Sequence, residues 1–257
     1  MNNSVTVRGI KTHFRTFGTG KGVLIFLHGW GGSVESFERL APRIAKKNKI
    51  TAIVPDLPGF GASGNPPLSG WDTHEYEKWL EEFLTALNIK QAHLYGHSFG
   101  CRVIVRFLLK HPEYAQKVIL TGAAGIKWPP SWRQKVSLWI SKHFRTAKKI
   151  LTGKIQKFIL CKVFGARDWG NVSPELKNTL KKVLDEEDVR HLLPSITTPV
   201  LLIWGAHDTI TPLRSARIFE AQLPHSKLRI LPEGKHGIHR THEEKMVQYV
   251  TKFLHEK

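Results

Sequence analysis

A serine flanked by glycines is the first place in this chain where chemistry is expected. Residues 96–100 read Gly-His-Ser-Phe-Gly, and they lie between a short apolar segment, 92–95, and a segment of helical periodicity, 99–111. The two glycines allow a tight strand-to-helix turn, which would expose the hydroxyl of Ser98. The pattern therefore predicts that Ser98 is a nucleophile. The competing interpretation is an ordinary serine in a glycine-flanked turn.

A serine hydroxyl is a weak nucleophile at neutral pH, so it requires a base, and histidine is the residue type that suits this role. The chain contains 14 histidines. His236 is favoured because its loop, 232–237, follows a predicted strand and precedes the final helix. His239 and His242 lie nearby, and we expect them either to pack around His236 without contacting substrate or to face solvent.

A carboxylate must orient the base, and Asp208 is the candidate because it directly follows the apolar strand predicted at 200–204. An alternative is that Asp208 caps the helix after Pro212. The acidic run 186–188 is expected to be a solvated helix face. The predicted chain order is therefore Ser98, Asp208, His236.

The elements around these residues alternate between strands and helices. Predicted strands lie at 23–27, 50–54, 92–95, 117–121, 199–204 and 228–231. Predicted helices lie at 33–47, 72–87 and 99–111, and a final helix ends near residues 253–254. This alternation predicts an α/β fold with a mostly parallel sheet and helices on both faces. The segment 124–196 interrupts it and is interpreted as an inserted helical cap. Residues 1–123 and 197–257 would form the core domain.

Five motifs in this chain resemble those of the α/β-hydrolase superfamily, in particular small capped bacterial esterases and carbon–carbon bond hydrolases. They are His28-Gly29-Trp30-Gly31-Gly32, Asp56-Leu57-Pro58-Gly59-Phe60-Gly61, Gly96-His97-Ser98-Phe99-Gly100, Gly205-Ala206-His207-Asp208, and His236. The resemblance implies that the backbone N–H groups of Trp30 and Phe99 form an oxyanion hole. The substrate pocket is expected to include His28, Gly29, Trp30, Trp132 and Trp139.

The resemblance also implies a serine hydrolase that forms an acyl-enzyme on Ser98. It needs no metal or organic cofactor, and a small carboxylic ester is the default substrate. A serine at position 98 argues against relatives with an aspartate nucleophile, such as haloalkane dehalogenases and epoxide hydrolases. Three alternatives stay open, namely a carbon–carbon bond hydrolase, a lactonase, and a ligand receptor or membrane-associated binding protein with residual hydrolysis.

The charge of the chain is strongly positive. Lys and Arg number 39 against 21 Asp and Glu, which gives a formal net charge of +18. Residues 127–167 contain no acidic residue, and large apolar side chains alternate there with Lys and Arg. This pattern predicts basic amphipathic cap helices, with either a solvated outer face or a surface that attracts anionic membranes or an acidic substrate. Nucleic acid is not expected as a partner, because no binding motif accompanies the charge.

Size and cysteine content point to one ordinary catalytic domain. A chain of 257 residues can bury a large core, and its two cysteines, Cys101 and Cys161, do not form a disulfide framework. Residues 1–22 are polar and turn-like and lack the apolar segment of a signal peptide. We therefore expect a cytoplasmic protein, and the sequence leaves its oligomeric state open.

Overall fold

A computed structural model describes residues 2–128 and 172–256, which contain an eight-stranded sheet. The strands are β1 (Asn2–Val7), β2 (Ile10–Phe17), β3 (Gly22–Leu27), β4 (Ile50–Pro55), β5 (Ala92–His97), β6 (Ala115–Thr121), β7 (Val200–Gly205) and β8 (Ser226–Leu231). They are ordered β1-β2-β4-β3-β5-β6-β7-β8. Only the pairings of β2 with β1 and with β4 are antiparallel. The predicted mostly parallel sheet is confirmed.

Helices cover both faces of this sheet. The described helices are α1 (Leu40–Asn48), α2 (Thr73–Ala86), α3 (Phe99–Lys110), α4 (Pro174–Asp185), α5 (Leu213–Gln222), α6 (Ile238–Thr241) and α7 (Glu243–His255). Side chains alternate along β3, so that Ile25 and Leu27 pack with α2, α3 and α5, whereas Leu24 and Phe26 pack with α1 and α7. The sheet is thus buried on both sides, as its apolar strands predict.

The parallel strands bring several loops to one edge of the sheet. The carboxyl ends of β3 to β8 share this edge, so the segments that follow them meet there. These segments carry the motif at 28–32, the loop that begins at Asp56, Ser98, Gly122, Asp208 and the loop 232–237. The topology therefore gathers residues that are distant in sequence.

The N-terminal segment differs from its prediction. Residues expected to be turn-like form the antiparallel hairpin of β1 and β2, joined at Arg8 and Gly9 with φ angles of 52° and 73°. Two consecutive residues with positive φ make the tight turn whose twist suits a hairpin. The alternation of Val5, Val7 and the polar residues between them was the available signal for a strand.

The helix predicted from Ser33 is interrupted. Ser33 caps a short 3₁₀ helix, Val34–Phe37, and α1 begins only at Leu40. Pro42 explains the break, because proline lacks an N–H and its ring clashes with the carbonyl four residues earlier. Within the first turn of α1 the same proline is tolerated.

The insertion between β6 and β7 is described only in part. Helix α4 and a 3₁₀ helix, Val189–Ser195, lie there, whereas Trp132, Trp139 and nearly all of the basic run lie outside the described residues. The cap boundaries and the anionic membrane surface stay predictions. No helix within 2–128 and 172–256 combines the length and apolar character that crossing a bilayer requires.

The acidic run 186–188 is not simply solvated, which corrects its prediction. Glu186 accepts hydrogen bonds from the backbone N–H and the hydroxyl of Thr73, and its carboxylate lies 3.1 Å from Arg102 Nη2. The side chains of Arg102 and Glu186 are only 7% and 11% exposed. Glu186 therefore connects the end of α4 to α2 and α3.

Candidate active site

Ser98 occupies a strained turn between β5 and α3. Its φ is 50° and its ψ is −110°, a conformation that residues with a side chain rarely adopt. The flanking glycines are sterically required, because a Cβ on Gly100 would lie 2.2 Å from the carbonyl oxygen of Leu27, and one on Gly96 would lie 2.8 Å from Cys101. The Ser98 N–H donates to the carbonyl of Thr121 at 3.0 Å, which fixes the turn to β6.

Asp208 and His236 form a close pair after β7 and β8. The distance from His236 Nδ1 to Asp208 Oδ2 is 2.8 Å, and the carboxylate is 1% exposed. It also accepts hydrogen bonds from the N–H of Ile210 and from the N–H and hydroxyl of Thr211, at 2.8–2.9 Å. With an acceptor at Nδ1, the ring carries its proton there and leaves Nε2 as an acceptor. Asp208 does not cap α5, which was its alternative role.

Gly122 borders this pair, and sequence reasoning did not assign it a role. Its φ is 51°, and a Cβ on it would lie 3.1 Å from His236 Nδ1 and 3.2 Å from Asp208 Oδ2. A side chain at this position would therefore be strained and would press on both partners. Its place directly after β6, at the edge where the motifs meet, was the available signal.

Ser98 and His236 line the same cavity of about 320 Å³, which we call the histidine cavity. Its described walls also include Gly29, Trp30, Ser36, His97, His239 and Arg240. Gly29 and Trp30 therefore border Ser98, and their contact with a substrate stays a prediction. His28 is not part of the described walls. It is fully buried, and its Nε2 accepts a hydrogen bond from the N–H of Leu57 at 3.0 Å, so it holds two loops together.

A second cavity, of about 200 Å³, meets Ser98 from another side. We call it the apolar cavity, because Phe99, Ile126, Val183 and Leu184 are among its described walls. Arg102 and Lys127 also line it, but Arg102 is paired with Glu186 and Lys127 Nζ donates to the carbonyl of Asp185. Ile210 borders both cavities, so a molecule that reaches Ser98 can extend into either.

Trp30 and Phe99, the residues of the predicted oxyanion hole, both border cavities that reach Ser98. Phe99 is the first residue of α3, so its N–H has no acceptor within the helix. The Trp30 ring packs edge-to-face on those of Phe99 and Phe60, with centroids 5.4 and 5.0 Å apart. Their role as donors stays a prediction.

Asp56 fixes the loop that carries Trp30. The sequence identified the motif at 56–61 but assigned Asp56 no role. The buried carboxylate accepts hydrogen bonds from the N–H of Val34 at 2.6 Å and of Ala62 at 2.9 Å, and it lies 2.8 Å from His13 Nδ1. It therefore ties together β2 and the loops that follow β3 and β4.

Two further histidines lie near His236, with their rings in tilted contact. The His97 ring centroid lies 4.7 Å from that of His236 and 4.1 Å from that of His239. Burial lowers the pKa of His97 well below its usual value. Burial and, to a lesser degree, the positive charge of Arg240 lower the pKa of His239 to about 3. His239, considered as an alternative base, is buried and has no carboxylate partner among the described residues.

The described residues contain one group with the composition of a metal site, Glu77, Glu81 and His111. Lys110 already supplies a cation to Glu77 at 2.7 Å, and none of these residues lines the histidine cavity or the apolar cavity. This group therefore has no connection with Ser98.

Comparisons with known proteins agree with this fold. A family model described as the alpha/beta hydrolase fold matches residues 22–159 and 177–243. The serine hydrolase BPHL of Mus musculus is 28% identical over 97% of this chain and 85% of its own length. A pimeloyl-[acyl-carrier protein] methyl ester esterase of Aeromonas hydrophila is 25% identical over 90% of this chain and 94% of its own. An esterase from Exiguobacterium antarcticum has a similar solved structure, with a TM-score of 0.76, 21% identity and full coverage of both chains.

Proposed function

Because the chain belongs to the alpha/beta hydrolase fold family, we propose that it is a serine hydrolase that cleaves carboxylic esters. Ser98 is the nucleophile, His236 the base, and Asp208 orients the base. The observation that carries the proposal is that Ser98 and His236 line one cavity while Asp208 accepts from His236 Nδ1 at 2.8 Å. The methyl ester esterase of Aeromonas hydrophila, a relative over most of both chains, supports an ester as substrate.

In the first half of the reaction, the hydroxyl oxygen of Ser98 bonds to the ester carbonyl carbon while its proton passes to Nε2 of His236. The carbonyl electron pair moves onto oxygen, where the N–H groups of Trp30 and Phe99 stabilise the negative charge. The tetrahedral intermediate then expels the alcohol, which takes the proton from His236. An acyl group remains on Ser98.

In the second half, water replaces the alcohol. His236 removes a proton from this water, whose oxygen attacks the acyl carbon, and Ser98 leaves as it regains the proton. Asp208 keeps the same ring orientation throughout and stabilises the imidazolium in each step. The products are a carboxylic acid and the unchanged enzyme.

The test is steady-state hydrolysis of 4-nitrophenyl butyrate by the purified protein and its Ser98→Ala variant. We expect many turnovers per wild-type chain and a loss of about 10⁶ in kcat for the variant, the size found when a serine nucleophile is removed. Ser4→Ala, which changes an exposed serine of β1, serves as the matched control. Retained turnover in folded Ser98→Ala protein would contradict the assignment.

A panel of substrates separates the alternatives that use the same residues. Hydrolysis of lactones or of dienoates with a scissile carbon–carbon bond, without hydrolysis of esters, would replace the ester proposal and keep the nucleophile. A single turnover on every substrate would instead indicate a ligand receptor.

A further inference from the structure

The histidine cavity has a one-sided distribution of charge. Its described walls carry the guanidinium of Arg240 and the imidazoles of His97, His236 and His239, and they include no carboxylate. Asp208, which orients His236, is not part of these walls. An anion in this cavity would therefore meet donors and a positive charge without a competing negative one.

Arg240 retains donors for such an anion. Its Nη2 donates to the hydroxyl of Ser36 at 3.2 Å, and it forms no ion pair with a carboxylate within the parts of the chain that are described. A guanidinium has five N–H donors in a planar fork, which matches the two oxygens of a carboxylate. The side chain is exposed at the cavity, so an incoming ligand can reach it.

His239 also lines this cavity and is 5% exposed. Its Nδ1 has no hydrogen-bond partner among the described residues and is itself enclosed by protein, so this atom does not meet a ligand in the cavity. A neutral imidazole has one N–H donor, and a hydrogen bond from His239 to a ligand would therefore come from Nε2 and add no charge.

We propose that the histidine cavity is a subsite for a carboxylate group of the substrate, with Arg240 as its binding residue and His239 as a second donor. The inference rests on the proposed function of Ser98 and names the substrate class, a carboxylic ester that carries a separate carboxylate. The volume of about 320 Å³ lies at the lower end for ligand pockets, so the charged portion is short. The apolar cavity receives the other portion.

The first experiment compares matched pairs of esters. Mono-4-nitrophenyl glutarate and 4-nitrophenyl pentanoate differ in charge on the acyl side, and 4-carboxyphenyl butyrate and phenyl butyrate differ on the alcohol side. We expect kcat/KM of the wild type to be at least tenfold higher for the charged member of one pair than for its neutral member. A hydrogen bond to a charged group contributes enough binding free energy to account for a factor of this size. The ratio of kcat/KM for the charged ester to that for the neutral ester should approach one in Arg240→Gln. It should be intermediate in Arg240→Lys, which keeps the positive charge but lacks the planar guanidinium.

Arg229→Gln is the control, because Arg229 is exposed on β8 and is not part of the cavity walls. It should keep the wild-type ratio. An equal loss in this variant would mean that the net positive charge, rather than a subsite, attracts the anion, and would overturn the proposal. So would an unchanged ratio in Arg240→Gln.

The second experiment does not depend on catalysis. Calorimetry with glutarate, glutaramide and inorganic phosphate is done on Ser98→Ala, with and without Arg240→Gln. We expect glutarate alone to bind, and to bind at least tenfold more weakly when Arg240 is replaced. Binding of phosphate but not glutarate would overturn the carboxylate assignment. Glutarate binding, if the wild type hydrolyses no ester, would overturn the proposed function but not the subsite. Ester hydrolysis by the wild type, with no preference for charged esters and no glutarate binding, would overturn the subsite alone.

Discussion

Two buried aspartates hold a histidine in nearly the same way. In both Asp208–His236 and Asp56–His13, the carboxylate Oδ2 lies 2.8 Å from Nδ1. Both carboxylates are 1% exposed, and the histidines are 18% and 17% exposed. The pairs differ in surroundings, because His236 lines a cavity with Ser98, whereas His13 lies in β2 and is not part of that cavity's walls. The geometry of an aspartate–histidine pair thus does not by itself define a catalytic one.

The remaining hydrogen bonds of each carboxylate explain the difference. Those of Asp208 come from Ile210 and Thr211, within three residues of it, so the carboxylate is held locally, and His236 is its one distant partner within residues 2–128 and 172–256. Asp56 binds residues from two separate loops and from β2. We therefore expect Asp208 to act on the reaction and Asp56 to act on the fold.

Replacement of the two histidines should separate the pairs most strongly. His236→Ala removes the proposed base and should lower kcat for 4-nitrophenyl butyrate by about 10⁶, as loss of the nucleophile does. His13→Ala should keep turnover within about tenfold, since it removes one hydrogen bond at a residue of β2 that is not part of the walls of the histidine cavity. Steady-state kinetics of both variants provide the comparison. Equal losses would mean that both pairs serve the same purpose.

Replacement of the two aspartates by asparagine sharpens the same contrast. Asp208→Asn should lower kcat by about 10⁴, the loss seen in a serine protease when its triad aspartate is changed, because the wrong tautomer of the base is favoured. Its melting temperature should change little by comparison. Asp56→Asn should instead reduce the free energy of unfolding by about 1–3 kcal/mol, because the amide nitrogen that replaces Oδ2 cannot accept the hydrogen bonds that Ala62 N–H and His13 make there. Urea denaturation and kinetics on both variants test this, and a severe kinetic loss in folded Asp56→Asn would argue against the division of roles.

The last comparison concerns buried histidines that form no ion pair with a carboxylate within the described residues. Burial lowers the pKa of His28 to about 4, of His97 well below 6.5 and of His239 to about 3. In the unfolded chain these rings bind protons below pH 6.5, and in the folded chain they stay neutral. The stability they provide is complete above pH 6.5 and is lost as the pH falls toward 4, at up to about 1.4 kcal/mol per pH unit for each.

Melting temperatures between pH 7.5 and 5 provide the measurement. We expect a decline that begins near pH 6.5, before the carboxylates titrate, and a shallower decline in His239→Gln. His74→Gln, a change of an exposed histidine on α2, should leave the slope unchanged. A constant melting temperature across this range would show that the buried rings are protonated without cost.

Some of these features were predictable from the sequence, and others depend on packing across the sheet. The turn at Ser98 and the positions of Asp208 and His236 followed from motifs that each lie within a few residues, next to strongly apolar strands. Asp56 was visible only as part of a loop, because its partners Val34 and His13 lie on other elements and depend on strand order. The hairpin of β1 and β2 was missed because many of its residues are polar and β1 lies at the edge of the sheet.

Arg240 could not be assigned for a related reason. Nothing in its own segment distinguishes it from the other exposed cations of this basic chain, and only the approach of α6 to the loop after β3 places it beside Ser36 and the cavity. Positions of this kind depend on which loops the topology brings together, which motif spacing does not encode.

The glycine after β6 has a consequence for how this protein can change. At Gly122 any side chain would meet both Asp208 and His236 while being forced to a positive φ. In a saturation library selected for activity, position 122 should therefore be as intolerant of replacement as the residues that carry out the chemistry, although it has no functional group. Natural or laboratory variants that alter substrate choice are expected to arise instead at the walls of the two cavities, and this glycine should persist among them.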